Sequence, residues 1–228
     1  SGCRAYLAVA GGFAIETVLN SKSTYLRAGI GGFNGAALKA GDKLSIGHCS
    51  GVAEKIQSSL KKYEKNGYSE STWGANPKRL TMIQNKRTKE VRVIRGRQFD
   101  LFDEESQKQF LSSTFTITNQ SDRMGYRLQG AKLNLASEQE MISEAVNFGT
   151  IQAPPDGNPI VLLADRQTTG GYPKIGQVIQ VDLPIIAQAK PGEELTFSEV
   201  SLSVAQKLYI DREKYIKEIK IGIQLKFI

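Results

Sequence analysis

Pro159-Ile160-Val161-Leu162-Leu163-Ala164, followed at once by Asp165-Arg166-Gln167-Thr168-Thr169-Gly170-Gly171-Tyr172-Pro173, sets the most apolar run of the chain beside its densest polar cluster. The apolar part is too short for a core helix and is bounded by proline and aspartate, which reads as a buried strand leaving the interior at Asp165. The same pattern recurs on both sides. Thr114 to Thr118, Arg127 to Gln129, Thr150 to Ala153, Gln177 to Val181 and Glu194 to Phe197 are each short and closed by Gly, Pro, Asp, Asn or Ser. Many short strands with punctuated turns predict a mainly β barrel or sandwich with a few short helices.

The elements between these strands fit that frame. Leu80 to Gln84 and Val91 to Ile94 read as strands, and Asp103-Glu104-Glu105 places acids at the start of a helix running through Phe110 and Leu111. Ser201 is expected to cap a helix over Leu202 to Leu208. Beyond it, Ile219, Ile221, Ile223, Leu225 and Phe227 alternate with Lys220, Gly222, Gln224 and Lys226, a period of two that predicts a final strand. In the N-terminal part, Arg4 to Ala10 and Lys43 to Gly47 read as strands. Val52, Ile56, Leu60 and Tyr63 mark a short amphipathic helix over Gly51 to Lys65. Asn66 to Lys78 has glycines, a proline and no periodicity, so the expected units are residues 1–78 and 79–228. No internal repeat of fixed period is present.

Composition narrows the chemistry. The 228 residues contain one histidine, His48, and two distant cysteines, Cys3 and Cys49. A single imidazole removes most of the familiar catalytic menus, multi-histidine metal sites among them, the two cysteines give no disulfide framework, and no metal site is expected. Any chemistry must use carboxylates, amides, hydroxyls, cations or backbone dipoles. Gly47-His48-Cys49-Ser50-Gly51 imitates a nucleophile elbow, but the segment before it is no central hydrolase strand. Gly29 to Gly35 is glycine-rich without the lysine of a phosphate loop. The net charge of +7 is local, with subtotals of +2 over residues 1–54, +9 over 55–97 and −4 over 98–228. Without a nucleic-acid motif, the basic stretch reads as a solvated face, and no nucleic-acid partner is expected. The longest apolar run is far short of the roughly 20 residues that cross a bilayer, so no membrane association is expected and a reducing, cytoplasmic setting is.

Two loops carry the candidate site. In the first, Asp165, Arg166, Gln167, Thr168 and Thr169 offer a carboxylate, a guanidinium, an amide and two hydroxyls at the mouth of a buried strand. A turn needs only one or two such residues. In the second, Ser121-Asp122-Arg123-Met124-Gly125-Tyr126 again places Asp and Arg beside glycine. If the loops share a rim, Asp122 or Asp165 could orient or deprotonate a water while Arg123 or Arg166 neutralises an anion. The alternative is a structural Asp–Arg pair within each loop.

Taken with Arg4 to Gly12, Ser21 to Thr24, Leu26 to Gly29, Gly31-Gly32-Phe33, Ala40-Gly41-Asp42, Ile151-Gln152 and Pro154 to Gly157, the stretches Ser121 to Arg127 and Leu163 to Lys174 resemble the family of the C subunit of bacterial 5-oxoprolinase. That family was formerly described as allophanate hydrolase subunit 2 and is similar to the carboxyltransferase domain of urea carboxylases. The resemblance implies tandem cyclophilin-like β-barrel units and a related-fold partner, the B component of such enzymes. It also implies a lactam-opening partner, the A component, and together an ATP-dependent hydrolysis of 5-oxo-L-proline to L-glutamate, with Mg as an accompanying ion. It makes Asp165, Arg166 and Asp122 the catalytic candidates and Gln167, Thr168, Thr169, Ser121, Arg123 and Tyr126 the substrate-binding ones. Two other functions follow from the same resemblance: carboxyl transfer from carboxybiotin to urea or an amide, and regulatory binding to a kinase-inhibitor protein. Family members begin well before the Arg4 motif, so the expectation is a fragment with an incomplete first barrel, inactive alone.

Overall fold

The computed structural model of the chain describes residues 2–76 and 86–227; the strand expected at Leu80 to Gln84 lies outside the described residues. The chain divides into two units, Ser1–Ala5 with Ala75–Ile219, and Tyr6–Gly74 with Lys220–Ile228.

The larger unit is a closed barrel. Its strands are β1 (Thr88–Arg95), β2 (Phe115–Ile117), β3 (Gly125–Gln129), β5 (Thr150–Gln152), β6 (Ile160–Leu162), β8 (Lys174–Val178) and β9 (Glu194–Glu199), in the order β1-β8-β5-β6-β3-β2-β9. Only the β1–β9 pairing that closes the ring is parallel. A two-residue ribbon, β4 (Glu144–Ala145) with β7 (Thr169–Gly170), stands apart. Closure removes the exposed sheet edges that such short strands would otherwise present.

The interior follows from alternation along the strands. On β1, Val91 and Val93 are buried, and on β9 Leu195 and Phe197 are. The helix Glu104–Ser112, capped by the Asp103 carboxylate on the Ser106 N–H at 2.6 Å, drives Phe110 into the barrel. There its ring stacks on Phe197 with centroids 5.0 Å apart, and Phe115 meets Phe197 at 5.7 Å. Gly176 of β8 makes room for this plug, since a Cβ at that position would stand 2.7 Å from Phe110 Cζ. The mainly β barrel expected from the short punctuated strands is therefore present. One strand is displaced: the segment expected at Gln177 to Val181 forms at Lys174–Val178, because Asp182 N–H turns back onto Ile179 O.

The final strand is a correction. Residues Leu202–Phe227 form one helix. Its half-buried positions are Ala205, Leu208, Arg212, Tyr215, Ile216, Ile219, Ile223 and Phe227, a stripe at spacings of three and four. In the tail every second residue is apolar, so each fourth one is too, and the helical stripe was hidden inside the alternation. The surplus residues, Ile221 and Leu225, face outward at 43% and 74% exposure.

The expected helix of the smaller unit forms at Gly51–Lys61, capped by Ser50, and ends short of Lys65, while Arg4 to Ala10 and Lys43 to Gly47 are not strands. A single bridge joins Phe13 to Ile46, and Tyr6 and Leu7 remain exposed. Alternation makes a strand only where a neighbour accepts its hydrogen bonds. Trp73 packs against Phe227 at 5.9 Å, with Lys226 Nζ over its ring.

Candidate functional site

The antiparallel pairing of β3 with β6 places the connection before β3 and the connection after β6 at one end of the barrel. The backbone carries the pairing beyond the strands: Leu163 N–H donates to Met124 O and Asp165 N–H to Arg123 O. The two sequence-predicted loops are thus neighbours, and a side-chain pair spans them. Arg123 Nε donates to Asp165 Oδ2 at 2.7 Å and Nη2 to Oδ1 at 2.9 Å, a two-pronged contact between the loops rather than a pair within each. Both side chains are substantially exposed, so an incoming carboxylate or phosphoryl group can compete with Asp165 for the same guanidinium fork.

The other predicted residues divide. Asp122 Oδ1 accepts from the backbone N–H groups of Met124 and Gly125, at 2.8 and 3.2 Å, and Ser121 Oγ accepts from Arg127 N–H. These two tie their own turn together, as Asx and Ser side chains do. Tyr126 turns inward, its OH donating to Ala189 O at 2.9 Å and accepting from Arg4 Nη1 at 2.9 Å. Burial pushes its phenol above the ordinary value, against the opposing pull of the Arg4 hydrogen bond. Arg166 Nε reaches Val146 O, and Gln167, Thr168 and Thr169 are exposed on or beside β7.

A cluster beside them escaped sequence reading. Lys174, largely buried at the start of β8, places Nζ 3.1 Å from Glu144 Oε2 on β4. Arg97 meets the other oxygen at 3.2 Å, and Gln98 Nε2 donates weakly to Glu144 Oε2. Gln152, also buried, donates to Tyr172 O. Glu144 lies in a polar stretch without strand signals, and only its pairing with Gly170 brings it here. The Lys174 hydrogen bond holds the Glu144 carboxyl below its ordinary value. A group made more acidic by folding adds stability above the unfolded carboxyl range, and that contribution disappears as pH falls through the lowered value. Glu144→Gln is therefore expected to flatten the acid limb of the Tm–pH profile below about pH 4.5, the ordinary value for this group. An unchanged limb would show that the contact with Lys174 adds nothing in solution.

Two recesses adjoin this region. One, of about 620 Å³, is walled by Thr118, Arg127, Lys132, Asp156 and Asn158, and the other, of about 730 Å³, by Leu133, Glu138, Met141 and Pro155. Tyr172 lines both. None of the nine residues named from the sequence lines either one, so the Arg123–Asp165 pair sits outside these two hollows. Among the described residues, no group of three His, Cys, Asp or Glu side chains is placed to hold a metal ion, and no helix is long and apolar enough to cross a membrane.

Residues 1–199 match the protein family described as carboxyltransferase domain, subdomain A and B. The chain is 39% identical over 219 residues to the C subunit of 5-oxoprolinase from Haemophilus influenzae and 37% identical over 218 residues to that from Escherichia coli. Each alignment covers 96% of this chain and 63% of the relative, so the chain spans less than two thirds of their length. Among solved structures, the urea amidolyase of K. lactis superposes with a TM-score of 0.78 at 26% identity, over 95% of this chain and 13% of that one.

Proposed function

The chain belongs to the carboxyltransferase domain, subdomain A and B, family, and from that premise we propose that it is one component of a complex that hydrolyses 5-oxo-L-proline to L-glutamate with consumption of ATP. The observation that carries this reading is the 37–39% identity, along 96% of the chain, to two proteins named as the C subunit of 5-oxoprolinase. It works with a related-fold partner and a lactam-opening partner, and we place it in the cytoplasm, where its free thiols Cys3 and Cys49 would stay reduced.

A lactam is a stable amide, and what ATP supplies is a phosphoryl group that activates its oxygen. Among the described residues, the two candidate carboxylates do not fit a metal-bound nucleotide. Magnesium takes carboxylates alongside phosphate oxygens, whereas Asp165 is already held by Arg123 and Asp122 by its own backbone. This chain's part is instead to bind and orient an anionic substrate: Arg123 offers a planar fork, and Asp165 keeps that fork in register until a ligand displaces it.

The test is co-expression with the two partner proteins and measurement of glutamate released from 5-oxo-L-proline with ATP. Glutamate release that requires this chain is the expected result. Its absence, with all three components assembled, would overturn the assignment. The likeness to K. lactis urea amidolyase supports a second reading, carboxyl transfer to urea or an amide, and an avidin-sensitive, urea-dependent ATPase would establish it instead.

A further inference from the structure

We propose that Arg4 is a second anion-binding residue of the site built on Arg123 and Asp165, and that Tyr126 is the residue that positions it. The barrel places them together. Because β9 runs antiparallel to β2 and β2 antiparallel to β3, the start of β9 lies at the barrel end where β3 begins. Ala187 to Ala189, in the connection that leads from β8 into β9, therefore share that end with the Arg123 and Asp165 loops. Cys3 and Arg4 are tied down there. Cys3 N–H donates to Gln188 O at 3.3 Å, Cys3 Sγ to Ala189 O at 3.1 Å and Arg4 N–H to Gln188 Oε1 at 3.0 Å.

The hydrogen bonds of the Arg4 guanidinium show which edge is spare. Nη1 donates to Tyr126 OH at 2.9 Å, to Cys3 Sγ at 3.2 Å and to Ala187 O. These acceptors are a hydroxyl, a thiol and a carbonyl, and among the described residues no carboxylate pairs with Arg4. Nε and Nη2 form the edge that grips a carboxylate or phosphoryl group with two parallel hydrogen bonds. On Arg4 that edge has no acceptor among the described residues, and neither nitrogen is sealed from solvent. On Arg123 the same edge is filled by Asp165. An incoming oxyanion can thus take Arg4 without displacing a protein carboxylate, and Arg123 only by displacing Asp165. Tyr126 turns inward for the same reason: its OH holds Nη1 and leaves the opposite edge available. Burial and the like charge of Arg123 pull the Arg4 pKa down, the Tyr126 hydrogen bond pulls it up, and the balance lies above the ordinary value, so the edge stays charged. That the bound anion is the substrate rests on the function proposed above; the spare edge does not.

The experiment reads occupancy of that edge. The chain is treated with phenylglyoxal, which condenses with guanidinium nitrogens, and modification of Arg4 is followed by peptide mass spectrometry without anion, with acetate and with inorganic phosphate, at matched ionic strength. Near saturation the anion is expected to slow modification of Arg4 by at least about tenfold, and whichever probe protects at the lower concentration tells a carboxylate ligand from a phosphoryl one. Arg95, held by Glu199 at the other end of β1, reports general shielding. Tyr126→Phe should weaken the protection by about tenfold, whereas a purely structural Tyr126 would lower Tm and leave protection unmoved. In the assembled complex, Arg4→Lys keeps the charge and loses the two-pronged edge, so it should raise KM about tenfold with a smaller change in kcat. Protection by neither anion, equal slowing at Arg4 and Arg95, or a KM unmoved in Arg4→Lys would overturn the proposal. The two readings fail separately. Protection of Arg4 in a complex that releases no glutamate would remove the function and keep the site, whereas glutamate release with KM unmoved in Arg4→Lys would do the reverse.

Discussion

Asp182→Ala is expected to destabilise the barrel by about 3–5 kcal/mol, the usual cost of removing one partner from a buried charge pair. Asp182 is 1% exposed and stands just before the helix Leu183–Gln188. Its carboxylate accepts from Arg92 N–H at 2.9 Å, Arg92 Nε at 2.9 Å and Arg92 Nη2 at 2.6 Å. The substitution thus strips acceptors from the β1 backbone and from a guanidinium whose side chain is only 24% exposed. Asp182→Asn, which keeps the shape and loses the charge, should cost less. A control lies on the same strand: Arg95 and Glu199 also form a two-pronged pair, but at 54% and 36% exposure, and Glu199→Gln should cost far less. Denaturant titrations with unchanged m-values measure all three. Equal losses for Asp182→Ala and Glu199→Gln would show that burial does not set the strength of these pairs.

The same strand explains where the basic excess goes. Five cations of the 55–97 segment, Arg87, Lys89, Arg92, Arg95 and Arg97, pair with Glu194, Glu193, Asp182, Glu199 and Glu144, all from the acidic C-terminal part. Charge counted along the sequence separates groups that folding brings together. In the fold, these five cations belong to a barrel strand and the residues flanking it.

What was legible in the residues is what local chemistry dictates. Strands closed by Gly, Pro and Asp, such as Ile160–Leu162 before Asp165, declared themselves because each obeys its own turn rules. The acids opening the helix through Phe110 did so for the same reason. Four features needed tertiary information. The tail alternation satisfied a strand and a helical stripe at once, and nothing local distinguishes them. Arg4 to Ala10 had the pattern of a strand without a partner. Glu144 became part of a cluster only through pairing with Gly170, and Thr118 and Asn158 became conspicuous only when folding buried their oxygens without pairing them. The convergence of the two polar loops lies between these cases, since it follows from chemistry only once β3 and β6 are known to be antiparallel neighbours.

That convergence yields the second large effect. Arg123→Ala and Asp165→Ala, each in the assembled complex, are expected to lower glutamate release by about tenfold to a hundredfold, the scale of losing a positioned charge at a reacting centre. Stability should barely respond. With side chains 68% and 43% exposed, the pair contributes at most about 1 kcal/mol to folding. This contrast separates the site from a structural latch, because a latch would lose stability and turnover together. The double variant sharpens the test. If Asp165 acts by holding Arg123 in register, the double variant should be no worse than Arg123→Ala alone, a non-additivity characteristic of residues that work as one unit. Arg123→Lys, which keeps the charge and loses the fork, should behave like Arg123→Ala rather than like the unsubstituted chain. Full turnover in Arg123→Ala with the fold intact would remove the pair from the reaction and leave the loops as connections that happen to meet.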